Sequence, residues 1–285
     1  MLDKVTIAAV GISKSYLLTK SGSRIGLTRK KNRTRIDALK QLSFVAYAGE
    51  SIGVLGRNGS GKSTLLQLLA GQESPSAGEI LVSANPTLVS VGSILQKHLT
   101  GSQNIKLGLL AQGMGPAAVD SEVPEVLEWA GLESAAHRPL GSYSAGMRAR
   151  LKFAITTASP KEILLVDEAL ATGDSSFSER AKRRMEEFLN EAGTVMIVSH
   201  SAPQIRKYCN RALWLHDGEL LADGEATAIS NAYESWSRAS ARGDVELERK
   251  IICQARESRR IQRVVFDSDA ANFLESRTNY GDPVT

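Results

Sequence analysis

Gly56-Arg57-Asn58-Gly59-Ser60-Gly61-Lys62-Ser63-Thr64 has the residue types and spacing of a loop that wraps a polyphosphate. It fits G-x-x-x-x-G-K-[ST] in full. The glycines let the backbone turn so that successive N–H groups point inward at phosphate oxygens. A helix starting at this point adds the positive end of its dipole. Lys62 is placed to reach the β- and γ-phosphates, the Ser63 hydroxyl to ligate Mg²⁺, and Thr64 to bind the α-phosphate. A second cluster complements the first. Ile163-Leu164-Leu165-Val166-Asp167-Glu168 puts two carboxylates at the tip of an apolar run. Asp167 can hold Mg²⁺ through water. Glu168, one residue on, can orient or deprotonate a water that attacks the γ-phosphate, help worth ~10²–10⁴-fold. Together the two clusters describe a P-loop NTPase.

These groups need a sheet to carry them. Val5–Ile12, Ser43–Tyr47, Ser51–Leu55, Glu79–Val82, Thr87–Val91, Ile163–Val166 and Val195–Val198 read as strands. Tyr16 closes the first of them, and 19–37 reads as an inserted, basic, glycine-bearing loop. Ser63–Ala70, pieces of Ser102–Gly131, Ser144–Ala158 and Ser176–Glu191 read as helices, the last with a Ser176-x-x-Glu179 capping box. Ala212–His216 and Leu220–Ala222 flank Asp217-Gly218-Glu219 and suggest a hairpin. Ala226–Val265 reads as one polar helical stretch. Buried strands alternating with helices predict an α/β fold with a parallel sheet covered on both faces. Ligands in such sheets sit beyond the carboxyl ends of strands, which points to the residues after Leu55, Val166 and Val198.

Composition limits the classes open to the chain. Its 285 residues are 42% hydrophobic and 23% charged, ordinary for a globular protein. No apolar run approaches the ~18 residues that span a bilayer. The start lacks the pattern of a secretory signal. Two cysteines, Cys209 and Cys253, exclude a disulfide scaffold and suit a reducing compartment. A net charge of +4 gives no dominant basic stripe, so no nucleic-acid partner is expected. The basic excess is local: Arg29, Lys30, Lys31, Arg33 and Arg35 form one cluster, and Arg256, Arg259, Arg260 and Arg263 another. Each is either solvated surface or a contact with anionic headgroups or an acidic partner.

A third motif narrows the class. Ser142-Tyr143-Ser144-Ala145-Gly146-Met147-Arg148 stands just upstream of the acidic strand and resembles the signature motif (L-S-G-G-Q) of ATP-binding-cassette, or ABC, ATPases. Ser144 and Gly146 are kept, whereas Tyr143, Ala145 and Met147 depart from the consensus. Further landmarks follow in ABC order. Ala171-Thr172-Gly173-Asp174 resembles the D-loop. His200 resembles the switch histidine at the γ-phosphate. Tyr16 resembles the aromatic residue that stacks on adenine. The family's Q-loop glutamine has no counterpart at the expected position near Ser90–Val91, and Gln96 is the only candidate nearby. The resemblance covers about residues 4–235. It implies an ABC-type nucleotide-binding domain at 1–240, with a mixed sheet core and a helical subdomain about 92–160. A helical C-terminal extension would follow at 241–285.

Tyr-Ser-x-Gly-Met-Arg, Asp-Glu-Ala-Leu-Ala-x-Gly-Asp-x-x-Phe and Leu99-Thr100-Gly101-Ser102-Gln103-Asn104-Ile105 are similar to the ATPase subunits of ABC exporters for lipid-linked polysaccharides. That resemblance implies ATP and Mg²⁺, a homodimer and a separate transmembrane permease. It also implies peripheral association with the cytoplasmic face of the cell membrane. Lys62, Ser63, Asp167, Glu168 and His200 of one chain would form a site completed by Ser144, Gly146 and Asp174 of the other. The alternatives are an ABC ATPase for a drug or lipid, and a non-transport ABC ATPase. A plain P-loop kinase module would give Ser144–Arg148 and His200 no purpose.

Overall fold

A computed structural model describes residues 4–19, 33–89, 95–158, 161–167, 180, 183–184, 186–187 and 193–257. Strand β1 (Val5–Thr19) lies between β2 (Arg33–Tyr47) and β4 (Ala77–Val82) in an antiparallel three-stranded sheet. A six-stranded sheet has the order β5-β6-β7-β3-β8-β9. It is formed by β5 (Thr87–Val89), β6 (Ile163–Val166), β7 (Thr194–Val198), β3 (Ser51–Leu55), β8 (Arg211–His216) and β9 (Glu219–Glu225). The first five run parallel, and β9 returns antiparallel through the hairpin at Asp217-Gly218. The sheet core is therefore mixed, as an ABC-type domain requires.

Covering both faces of the large sheet explains why β6, and β7 after Thr194, are apolar, and why both are fully buried. On one face Ile52, Val54, Leu165, Met196 and Val198 pack with α1 (Lys62–Leu69) and with Ile7, Leu39 and Phe44 of the small sheet. On the other, Leu55, Val166, Ile197 and Trp214 meet α5 (Ala202–Tyr208) and α6 (Ala226–Arg242). A third cluster joins α2 (Gly101–Ala111), α3 (Pro116–Ala130) and α4 (Ala145–Thr156) into a helical layer with a core of its own.

Several elements differ from the sequence reading. β1 runs on past Ile12 and Tyr16 to Thr19, and Arg33–Asp37, read as loop, belongs to β2. Register shifts between Ala9 and Ser15 break the alternation that would have announced this ribbon. Residues 20–32, 90–94, 168–179 and 258–285 lie outside the described residues, and with them most of the helix expected at 176–191. The helical stretch after Ala226 is two helices. Gly243, at φ 71, ends α6, and Asp244 caps α7 (Val245–Glu257) by accepting from Leu247 N at 3.0 Å.

Candidate active site

The phosphate loop leaves the carboxyl end of β3 and enters α1. Gly61 caps α1 in the left-handed region at φ 100, and a Cβ there would lie 2.5 Å from Ala38 O. A Cβ on Gly56 would come within 2.4 Å of Leu215 O and Ser60 Oγ. Only glycine lets the backbone turn this tightly at both ends of the loop. Lys62 is buried, and its ammonium donates to the carbonyls of Gly56 (2.7 Å) and Arg57 (2.9 Å). Two of its three donors thus hold the charge inside the curl of the loop. Burial pulls the Lys62 pKa down, and the nearby carboxylate of Asp167 pushes it back up. Asn58, Gly59 and Ser63 are exposed, and Thr64 is half-buried.

Asp167 follows β6 directly and is half-buried. Burial raises its carboxyl pKa, while the charge of Lys62 lowers it. The fold thus brings the phosphate loop and the acidic strand end into electrostatic reach. β7 lies between β3 and β6, so its carboxyl end opens between the two. His200 emerges there, exposed. Ser199, which the sequence reading passed over, fixes this turn. It is buried, its N–H donates to Val54 O (3.2 Å), its hydroxyl donates to Gln204 Oε1 (2.8 Å) and it accepts from Ser201 N (2.9 Å). Glu168 and Asp174 lie outside the described residues.

Tyr16 stands on the ribbon, its hydroxyl donating to Glu73 Oε2 at 2.8 Å. Lys14 pairs with the same carboxylate at 2.9 Å and sits 5.3 Å from the ring centroid. Burial, followed by the Glu73 bond, raises the Tyr16 pKa. This clamp joins residues 57 apart in sequence and has no local signature.

Arg57 differs from its neighbours in the loop. Its guanidinium turns away from Lys62, lying over Trp236 at 5.8 Å from the ring centroid and reaching Ser240 Oγ at 3.4 Å. A share in holding phosphate would rest on its main chain.

The signature residues sit on the helical layer. Ser144 caps α4, its Oγ accepting from Met147 N at 3.1 Å, and both Ser144 and Gly146 are exposed. Tyr143, in place of the consensus leucine, is buried and donates to Ala135 O at 2.7 Å, so its hydroxyl is satisfied. The segment at 99–105 also has a structural basis. Thr100 and Gln103 form a reciprocal capping box, and the buried Asn104 amide donates to the carbonyls of Gln96, Leu99 and Thr100. Asn104 Oδ1 accepts from Gln96 N, which fixes the backbone at Gln96 while that residue stays exposed.

The family model described as ABC transporter matches residues 39–171. The chain is 35% identical over 240 residues to the teichoic acids export ATP-binding protein TagH of Listeria innocua, covering 83% of this chain and 72% of that one. It is 35% identical over 232 residues to the protein of the same name from Shouchella clausii, covering 79% and 64%. Among solved structures, a dimeric bacterial ABC transporter cassette superposes with a TM-score of 0.61 at 24% identity, over 77% of this chain and 98% of that one, a likeness of fold. The chain therefore belongs to the ABC transporter family, as one of its ATP-binding, ATP-hydrolysing members.

Proposed function

We propose that this chain is the ATPase subunit of an exporter that moves a lipid-linked polysaccharide of the teichoic-acid kind across the cytoplasmic membrane. It works as a homodimer on the cytoplasmic face, coupled to a separate transmembrane subunit. The observation that carries this reading is the 35% identity, over 83% of the chain, to a teichoic acids export ATP-binding protein. The Tyr143–Arg148 signature and the 99–105 segment support it. Among the described residues no helix is long and apolar enough to cross a membrane, which suits a partner that supplies the pore.

In this mechanism the loop amides and Lys62 bind the phosphates, and Tyr16, held by Glu73, meets the adenine. Ser63 and Asp167 are hard oxygen donors that fit Mg²⁺. Among the described residues no group of three or more His, Cys, Asp or Glu side chains could hold a metal. When bound, Mg²⁺ neutralises charge that builds on the β- and γ-phosphate oxygens. Glu168 takes the proton of the attacking water, and His200 steadies the γ-phosphate. Ser144, Gly146 and Asp174 of the second chain close the site. Closing and reopening of this dimer drives the permease between its two faces.

Glu168→Gln should bind ATP, stop hydrolysing it and accumulate as a dimer on gel filtration. Hydrolysis at the parent rate sinks the base assignment. Recovery of the native protein in ribosome or DNA complexes, without a membrane subunit, overturns the transport reading.

A further inference from the structure

The C-terminal helices reach the outer side of the phosphate loop. Trp236 is fully buried, packed against Trp214 (5.6 Å), Tyr233 (5.8 Å) and His216 (5.0 Å) between ring centroids. Its face carries the guanidinium of Arg57, whose NH1 also reaches Ser240 one turn further along α6. The main chain of that same Arg57 faces the site, its carbonyl accepting from Lys62 Nζ (2.9 Å) and from Ser60 N (3.1 Å). A second strut joins the loop to the β8–β9 hairpin, where Gly218 N donates to Ser60 O at 3.2 Å. Between helices, hairpin and loop lies a cleft of about 360 Å³ lined by Arg57, Asn58, Ser60, His216, Asp217 and Glu248. Glu248 comes from α7. That helix is tied to the same hairpin by Arg256, which pairs with Glu219 at 2.9 Å.

We propose that α6, backed by α7, is a brace that sets the phosphate loop for ATP, with Arg57, Trp236 and Ser240 as its positioning residues. This rests on reading the loop as the ATP site. A glycine-rich loop must be ordered when it closes around phosphate, and that ordering is subtracted from affinity. The brace orders the loop in advance from its outer side, through a side chain that leaves the inward amides free. It also links the C-terminal helices to ATP affinity, so anything that shifts α6 is felt at Lys62.

The test uses the full chain. Arg57→Gln should raise both KM and Kd for ATP by about two- to five-fold, the size of a partly exposed cation–π contact. The loss should fall on these rather than on kcat. Hydrogen exchange at the 56–61 amides should quicken in the same variant. Arg57→Lys and Trp236→Phe should restore most of the parent KM, because each keeps a cation over a ring. In a Trp236→Leu background Arg57→Gln should add little. An effect of undiminished size there would mean that Arg57 acts by charge alone, and overturns the brace. Should Trp236→Leu fail to fold, amide exchange in Arg57→Gln decides by itself: parent rates overturn the proposal. Lys62→Ala tests the underlying site separately. ATP binding at parent affinity in that variant rejects the loop as the ATP site, whatever Arg57→Gln does.

Discussion

Ser144 has one side-chain oxygen for an observed cap and a proposed phosphate contact. Its Oγ caps α4 by accepting from Met147 N, and as an exposed hydroxyl at a helix N-terminus it can also face the γ-phosphate of a second chain. Two substitutions separate the roles. Ser144→Ala removes the cap, costing about 1 kcal/mol. In a chain of this size that lowers the melting midpoint by roughly 2–4 °C. Ser144→Asp keeps an N-cap acceptor but sets a carboxylate against phosphate. Both variants should lose ATP hydrolysis, and only the alanine variant should melt earlier in the absence of ATP. Parent hydrolysis by Ser144→Asp would return Ser144 to a plain cap. The phosphate loop, Asp167 and Ser144 were legible in sequence because their chemistry is local: a turn, a strand tip, a helix start. The outward turn of Arg57 and the Glu73 clamp on Tyr16 were not, because each depends on a residue brought near by the fold. The environment of Cys209 was equally hidden in the sequence: burial in the core pushes its thiol up to about 12.

At the scale of elements, β8 is locked between its neighbours by one buried cation. Arg211 forms a fork with Asp223 of β9 (2.7 Å twice), reaches Glu50 (3.0 Å) and donates to Val45 O (2.8 Å). This joins the large sheet to the end of β2. Asp223→Asn leaves the guanidinium buried with a weaker partner and should cost about 3–5 kcal/mol, read by urea unfolding. Replacing both partners together, Arg211→Met with Asp223→Leu, should recover most of that loss. Equal losses in the two variants would show that packing, and not the stranded charge, sets the cost. The strands of this sheet were readable as short apolar runs because both faces are covered. The β1–β2 ribbon was not, since its bulges shift the alternation and its far end is polar. The split of the C-terminal stretch had a signal, Gly243 followed by Asp244, which the helical periodicity on either side outweighed.

At the scale of the whole molecule, the ribbon is where the fold reaches outward. β4 pairs with β1 only as far as Ser13, so Lys14–Thr19 pair with the β2 side alone. Leu17 is 64% exposed and Ile36 46%. Leu17 shares one face of the ribbon with Arg35, Ile36 shares the other with Tyr16, and towards the turn the sequence carries Arg29, Lys30 and Lys31. An exposed leucine beside an arginine, next to a basic stretch of sequence, suits contact with another surface. The ribbon also lies at one end of β1, while the helices that brace the phosphate loop pack on the other face of the large sheet. The same ribbon carries Tyr16, one pair from Leu17 and Arg35, so ATP affinity must be measured alongside any change of charge here. Replacing Arg29, Lys30, Lys31, Arg33 and Arg35 by glutamine should weaken co-purification with the transmembrane subunit from detergent extracts, and more so as salt is raised. ATP affinity of the isolated chain, measured in parallel, separates loss of the membrane contact from a disturbed Tyr16 on the same ribbon. Undiminished co-purification at every salt concentration would make these five charges a solvated surface and move the search for the membrane contact to the helical layer.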